Sequence, residues 1–117
     1  MTRGGLASAL NEIAQAAGVS IRVRERDMPV DDGVQGACEL LGLDPLYVAC
    51  EGRFVAFIDP EDADQAVKIL RRFDVSASAA AVGRVLDGTP GETALETWLG
   101  SLRPLDMLSG EQLPRIC

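Results

Sequence analysis

Histidine is absent from this 117-residue chain, and aromatic residues make up only 4% of it. Without histidine, no Ser-His or Cys-His nucleophile pair can be assembled within the chain, and the commonest metal ligand is missing. Any acid–base chemistry must therefore use carboxylates or groups supplied by another chain. Because aromatic residues are scarce, the core must be built from Leu, Val, Ile and Ala.

Further absences narrow the class of protein. No run of roughly eighteen apolar residues is present, so no segment is predicted to span a bilayer. The first residues lack the long apolar core of a signal peptide, and the expected compartment is the cytoplasm. The formal net charge of −7 and the pI near 4.4 argue against nucleic acids and anionic membrane surfaces as partners.

Cysteine occurs three times, as Cys38, Cys50 and Cys117, without a C-x-x-C spacing. This pattern indicates neither a disulfide framework nor a zinc site, and no metal site is expected. Cys38 lies on the apolar stripe of a predicted helix and is most simply a small buried hydrophobe. Cys117 is the last residue, so its thiol is either incidental or a handle that another site can reach.

The composition, with 47% hydrophobic and 25% charged residues, is typical of one globular domain. The periodicity predicts a helix over 5–17, a strand over 19–24 and a helix over 34–41. Two apolar runs joined by Glu51-Gly52 favour a tight hairpin of strands over 46–50 and 53–58. Further predicted elements are a helix beginning at Asp59-Pro60 and reaching Phe73, a strand over 81–86, and a final hairpin of 94–99 with 102–105.

These elements spell β-α-β-β-α-β with a leading helix and a trailing hairpin. They predict an α+β domain with a mixed sheet and a split βαβ, ferredoxin-like core over residues 1–106. After Asp106 no periodicity survives, so residues 107–117 are predicted to form an extended tail.

Two places could carry chemistry. The first predicted helix opens on Thr2-Arg3-Gly4-Gly5, where backbone N–H groups and Arg3 would favour an anion; a loosely capped chain end explains the same residues equally well. Glu51 lies at a predicted strand end beside a glycine, where the simpler interpretation is a solvated turn carboxylate.

Four motifs together resemble the C-terminal part of the HypE-type hydrogenase-maturation proteins, in the aminoimidazole-ribonucleotide-synthetase-like superfamily of ATP-using enzymes. The motifs are Thr2-Arg3-Gly4-Gly5-Leu6, Cys38-Glu39-Leu40-Leu41-Gly42-Leu43-Asp44, Ala49-Cys50-Glu51-Gly52 and Pro114-Arg115-Ile116-Cys117. The resemblance covers essentially the whole chain, and the terminal Pro-Arg-Ile-Cys is its most specific part.

The resemblance implies a function. HypE-like proteins accept a carbamoyl group on the terminal thiol from the carbamoyltransferase HypF, dehydrate it with ATP and Mg to a thiocyanate, and pass the cyanide to a HypC–HypD scaffold. By the same resemblance Cys117 is the carrier, and Glu51 is the base that takes the amide proton. Pro114, Arg115 and Ile116 would form the tether and recognition sequence. Thr2, Arg3, Gly4 and Gly5 would face the nucleotide phosphates or the incoming tail.

The chain departs from that family in two respects. Cys50 stands where the family usually has asparagine, and the family's N-terminal ATP-binding domain is missing. We therefore interpret the chain as a C-terminal fragment that folds but neither binds ATP well nor catalyses dehydration, with no cofactor expected on it. The surface that would face the missing domain is expected to be apolar and prone to self-association.

Two other function classes fit the same residues. One is a docking module of this superfamily in which the terminal cysteine is inert. The other is a different ATP-dependent member that acts on a small diffusible substrate and does not need residues 113–117.

Overall fold

A computed structural model of the chain describes Met1 and residues 3–107. Short 3₁₀ turns occur at Glu25–Asp27, Pro45–Tyr47 and Asp74–Ser76. The helices and strands, in chain order, are α1 (Gly5–Ala17), β1 (Ser20–Arg24), α2 (Asp32–Leu41), α3 (Ala63–Leu70), β2 (Gly83–Leu86), β3 (Thr93–Glu96) and β4 (Leu102–Pro104). The predicted α+β class with a mixed sheet is confirmed.

The four strands form one sheet in the order β2-β1-β3-β4. β1 runs antiparallel to β2, with Ser20 opposite Leu86, and parallel to β3, with Ile21 opposite Thr93. β4 lies antiparallel to β3 at the other edge. The sheet is therefore mixed, and its two parallel strands are direct neighbours.

The core forms where α1 covers one face of the sheet. In β1 the side chains alternate, so that Ile21 and Val23 are buried while Arg22 between them is exposed. Burying a side chain of this size stabilises the fold by about 1.5–3 kcal/mol. The complete set of buried side chains in this cluster is Ala7, Leu10, Ala14, Ile21, Val23, Leu46, Leu95 and Leu105.

The elements around this core match their predictions closely. α1 has the predicted bounds and ends at Gly18, which has the positive φ of 66° that the end of a helix favours. The predicted final hairpin is present as β3 and β4, joined through a turn in which the Gly100 N–H donates to the Thr97 carbonyl at 2.9 Å. Strong periodicity beside a covering partner was enough to locate these elements.

The predicted hairpin of 46–50 and 53–58 is wrong. Leu46 lies instead in the 3₁₀ turn that Asp44 caps, since the Asp44 carboxylate accepts from the Leu46 N–H at 2.9 Å. Within the described part of the chain, 53–58 is not a strand. A strand needs a neighbouring backbone for its hydrogen bonds, and none of the sheet's strands pairs with this segment. The β-α-β-β-α-β order and the split βαβ core therefore do not form.

The two later helices lie outside the core. In α2 the buried residue is Cys38, with 5% of its surface exposed, which confirms its predicted burial. Every residue of α3 is described and none is fully buried, but the face predicted to point inward is the less exposed one: its half-buried residues are Ala63, Ala66, Val67 and Leu70. The helix also begins three residues after Pro60, because Asp59 first caps a turn by accepting from the Glu61 N–H at 3.0 Å.

Large apolar side chains are exposed along 54–75. Such side chains are usually covered in a folded protein when several occur together. The set in this stretch comprises Phe54, Phe57, Ile58, Ile69, Phe73 and Val75. Among Met1 and residues 3–107, no helix combines the length and the apolarity that crossing a bilayer requires.

Candidate functional site

The segment that carries Glu51 and the segment that carries the glycine pair lie against each other. The Met1 carbonyl accepts from the Cys50 N–H at 3.0 Å. The Met1 amine donates to the Arg53 carbonyl at 3.3 Å. Met1 therefore joins both ends of the four-residue turn on which Glu51 lies, although about fifty residues separate the two segments in sequence.

Residues 50–53 form a tight turn. The Arg53 N–H donates to the Cys50 carbonyl at 3.3 Å, and Gly52 has a φ of 80°. A positive φ at the third position is the requirement of a type II turn, which glycine meets without strain. The Glu51 side chain is exposed next to this glycine, so the structure presents a carboxylate at the surface beside Met1.

Gly4 and Gly5 bring the start of α1 against the 3₁₀ turn of Pro45–Tyr47. Both have positive φ, 71° for Gly4 and 60° for Gly5. A Cβ on Gly5 would lie 2.5 Å from the Val48 carbonyl oxygen and 2.7 Å from that of Leu46, distances that no side chain could occupy. The glycine pair thus allows two backbones to touch, and the second backbone continues directly into the turn that carries Glu51.

The start of α1 offers hydrogen-bond donors to an anion. Gly4, the residue before the helix, has no capping side chain, and the first turn of α1 contains no acidic residue. The first N–H groups of a helix and its dipole favour negative charge, and the exposed Arg3 adds a cation beside them. Thr2 lies outside the described residues. The anion-binding role of this loop therefore stays a prediction.

The end of β4 is fixed by a buried polar cluster. Leu105 is fully buried, and its N–H donates to the Thr93 carbonyl at 2.9 Å. The Asn11 side-chain amide donates to the carbonyls of Ala7, at 2.9 Å, and of Leu105. The Thr93 hydroxyl lies 2.6 Å from the Asn11 side-chain oxygen. α1, β3 and the end of β4 are thereby bound together at one point.

Tyr47 holds the next residue of the chain. Its hydroxyl donates to the Asp106 carbonyl at 2.9 Å, and beside it Arg103 pairs with Asp44 at 2.9 Å. Burial raises the pKa of Tyr47, with the carboxylates of Asp44 and Asp106 acting in the same direction and Arg103 opposing them. The hydroxyl therefore keeps its proton and remains a donor well above neutral pH.

Tyr47 and its partners were missed from the sequence. Asp44-Pro45 is a helix-start signal that could have placed Tyr47 in a short helical turn. Nothing in the sequence pointed to its hydrogen bond with Asp106, which joins residues 59 positions apart.

Four predicted site residues, Pro114, Arg115, Ile116 and Cys117, lie outside the described residues, so the structure neither brings them to Glu51 nor separates them from it. Within the described ranges, Cys38 and Cys50 are free thiols. The same ranges contain no group of three or more Cys, Asp or Glu side chains suited to a metal ion.

Residues 1–95 match the family model described as AIR synthase related protein, C-terminal domain, and the chain belongs to this family. Within it, the chain is 50% identical over 117 residues to the carbamoyl dehydratase HypE of Rhodobacter capsulatus, covering 100% of the chain and 34% of that relative. It is 38% identical over 116 residues to HypE of Escherichia coli, covering 99% of the chain and 34% of that relative.

Solved structures give the same result. A crystal structure of the hydrogenase maturation protein HypE superposes with a TM-score of 0.91 at 43% identity, covering 99% of this chain and 38% of that one. A HypE structure in complex with ATP gives 0.90 at 43% identity, over 99% of this chain and 36% of that one. In a HypE–HypF complex the values are 0.86 and 34%, over 92% of this chain and 34% of that one.

The predicted resemblance to the hydrogenase-maturation protein HypE is therefore confirmed. The chain spans about a third of the length of the curated relatives that it matches.

Proposed function

We propose that this chain serves [NiFe]-hydrogenase maturation by carrying a carbamoyl group on Cys117, which the whole protein converts with ATP to a thiocyanate. The observation that carries this proposal is the pair of Met1 hydrogen bonds that join the Arg3-Gly4-Gly5 loop to the Glu51 turn. The loop suits phosphate oxygens and the turn supplies a carboxylate. Dehydration of an amide needs both in one place.

The reaction balances as a dehydration coupled to phosphoryl transfer. The Cys117 thiolate first attacks the carbamoyl carbon of the donor that HypF supplies: the S–C bond forms, and the bond from that carbon to the donor oxygen breaks, with the donor leaving as an oxyanion. ATP supplies the phosphoryl group that makes the carbamoyl oxygen a leaving group. A base takes one N–H proton, and the second N–H proton leaves with that oxygen as hydrogen phosphate. Cys117 then carries S–C≡N, and the other products are ADP, hydrogen phosphate and the proton on the base.

Glu51 is the residue that takes a proton from the carbamoyl nitrogen in this proposal. In the described chain its side chain is exposed to water. The remaining part of the protein would have to cover the turn and exclude water for Glu51 to act. Cys50, the residue before it, provides a thiol where the family resemblance implies an asparagine amide.

The nucleotide would be held here only through its phosphates. Arg3 and the first N–H groups of α1 suit phosphate oxygens, whereas the described residues contain no carboxylate cluster for Mg. We therefore expect this chain alone to bind ATP weakly and to catalyse no dehydration. Isothermal titration that gave a Kd below about 10 µM for the isolated chain would contradict this expectation.

The partners follow from the same chemistry. A structure of a relative is titled as a HypE–HypF complex, which supports the carbamoyltransferase HypF as the donor for Cys117. A HypC–HypD scaffold would accept the cyanide, and the expected compartment is the cytoplasm. The exposed apolar side chains along 54–75 support burial against the rest of a longer protein or self-association of the isolated chain.

Mass spectrometry of the C-terminal peptide tests the proposal. The protein of full family length, supplied with HypF, carbamoyl phosphate and ATP, should gain one carbamoyl group on Cys117 and then lose one water. Cys117→Ser should block the gain, and Glu51→Gln should let the carbamoyl form accumulate. Hydrogenase maturation that survives Cys117→Ala would favour the docking-module alternative. Turnover that survives deletion of 113–117 would favour a small-molecule substrate.

A further inference from the structure

We infer that Tyr47 is a positioning residue: together with the Asp44–Arg103 ion pair it fixes the point and direction in which the Cys117 tail leaves the domain. The inference rests on the proposed function, because the tail matters only if Cys117 carries the reacting group. The residues that carry the inference are all described, and they end at the root of the tail, defined here as Leu105 and Asp106.

The root is bound on both sides. On one side, Leu105 is fully buried, and its N–H and carbonyl are both engaged by Thr93 and Asn11. On the other side, the Tyr47 hydroxyl donates to the Asp106 carbonyl at 2.9 Å. The Asn11 cluster sets where the chain leaves the sheet. Tyr47 sets the orientation of the next peptide unit.

Tyr47 connects the root to the candidate site through one short element. It belongs to the Pro45–Tyr47 turn, whose backbone lies against Gly5 at the start of α1. Two residues beyond Val48 the same backbone enters the turn that carries Glu51. The Pro45–Tyr47 turn therefore contacts the Arg3-Gly4-Gly5 loop, leads to the Glu51 turn and holds the root.

The length of the tail determines what such a root controls. Residues 107–117 span at most roughly 40 Å when fully extended. The described domain measures 39 × 36 × 31 Å, so even a fully extended tail is only about as long as the domain. The root therefore sets which parts of the surface Cys117 can reach. It changes the effective concentration of the thiol at the site, which enters the rate of an intramolecular step.

Asp44 and Arg103 support Tyr47. Their ion pair joins the start of the 3₁₀ turn to β4, three residues before Asp106. It spans the same two elements as the tyrosine hydrogen bond. Loss of either contact should loosen the root, and loss of both should loosen it further.

The experiment compares the same step in cis and in trans, in the protein of full family length. In cis, single-turnover dehydration of carbamoylated Cys117 is measured in the unmodified protein and in Tyr47→Phe. We expect the maximal rate to fall about threefold to tenfold, as the loss of one hydrogen bond allows, with the ATP dependence unchanged. In trans, the protein lacking 107–117 is given a carbamoylated peptide of residues 107–117, and Tyr47→Phe should have no effect.

Arg24→Ala is the control, because it also removes a side-chain hydrogen bond to a distant backbone carbonyl, that of Ala81, together with the ion pair to Asp27. It should change neither rate. Equal losses in cis and in trans would overturn the inference, since Tyr47 would then support the site itself. Unchanged rates in both would overturn it as well.

A second measurement separates this inference from the proposed function. Hydrogen exchange of the Leu105 amide in the isolated chain should accelerate at least about threefold in Tyr47→Phe and stay unchanged in Arg24→Ala. Unaltered exchange would contradict the role of Tyr47 at the root whatever the reaction is. An unmodified protein whose Cys117 never gains a carbamoyl group, but whose Leu105 exchange responds to Tyr47→Phe, would refute the proposed function and limit Tyr47 to anchoring.

Discussion

Two regions of the molecule, α1 with the sheet and α2 with α3, have similar amphipathic sequences but differ in how far their apolar side chains are buried. In both regions apolar residues repeat at helical spacing. Along α1 the stripe is buried against β1 and β3, with Leu10 and Ala14 inside. Along α2 and α3 all residues are described, and Cys38 is the buried one.

The difference shows that an apolar stripe encodes the existence of a partner but not its location. Burial stabilises a helix only where another surface removes water from it. The relatives are about three times as long as this chain. Under the proposed function, the remaining part of the protein would cover the exposed faces of α2 and α3. The predictions below test how sharply the two regions differ, starting with the largest effect.

Leucine truncation should separate the two regions most strongly. Leu95 in β3 is fully buried and Leu99 after it is 94% exposed. Leu95→Ala should lower the free energy of unfolding by about 3 kcal/mol, because it removes buried methyl groups and leaves a cavity. Leu99→Ala should change it by less than about 0.5 kcal/mol. Urea denaturation of the isolated chain measures both, and similar values would contradict the assigned core.

Glycine replacement tests the contact between α1 and the 3₁₀ turn. Gly5→Ala places a Cβ 2.5 Å from the Val48 carbonyl oxygen at a φ of 60°, so we expect a loss of roughly 2–3 kcal/mol. Gly18→Ala has a similar φ of 66° but meets nothing within 4 Å, and should cost about 1 kcal/mol. The difference between the two variants measures the backbone contact. Equal losses would mean that the two backbones can separate freely.

Tyr47 lies at the boundary between the regions and should make stability depend on alkaline pH. Its folded pKa is raised above the ordinary value of about 10, chiefly by burial. The unfolded chain therefore loses this proton first and binds fewer protons. The contribution is present below about pH 10 and is lost as pH rises through the folded pKa. Urea unfolding near pH 8 and near pH 11 should show a smaller decline in Tyr47→Phe than in the unmodified chain.

Replacement of exposed aromatics should leave stability almost unchanged. Phe57→Ser and Phe73→Ser remove exposed side chains, so the free energy of unfolding of the isolated chain should move by less than about 0.5 kcal/mol. Sedimentation should show weaker self-association than in the unmodified chain. An unmodified chain that stays monomeric at every concentration would contradict the proposed self-association through the exposed apolar side chains along 54–75. A large loss of stability would show that these side chains are packed.

The sequence predicted the elements whose signal and partner both lie within the described chain. α1, β1 and the β3–β4 hairpin depend on periodicity and on turn glycines, and these are local. The Arg53–Ile58 run has strand-type residues but lacks a strand beside it, and strand pairing is a non-local property that a run of residues does not encode.

The site divides in the same way. The glycine pair and Glu51 were predicted from local motifs, and Met1 joins their segments in the structure, while their roles in the site stay predictions. Tyr47 and Asn11 were not found. Their roles depend on reaching Asp106 and Leu105 across the folded domain, which no spacing in the sequence records.

The contact of Gly5 with the carbonyls of Leu46 and Val48 has a consequence for protein engineering. The contact is made between backbone atoms. It therefore constrains the path of two backbone segments and not the identity of the side chains on the 3₁₀ turn. A designer could vary the exposed side chain at position 49, which follows these carbonyls, while the glycines hold the geometry. Because the contact needs only backbone atoms and the glycines, the Arg3–Gly5 loop and the Glu51 turn could be grafted together onto the start of another helix.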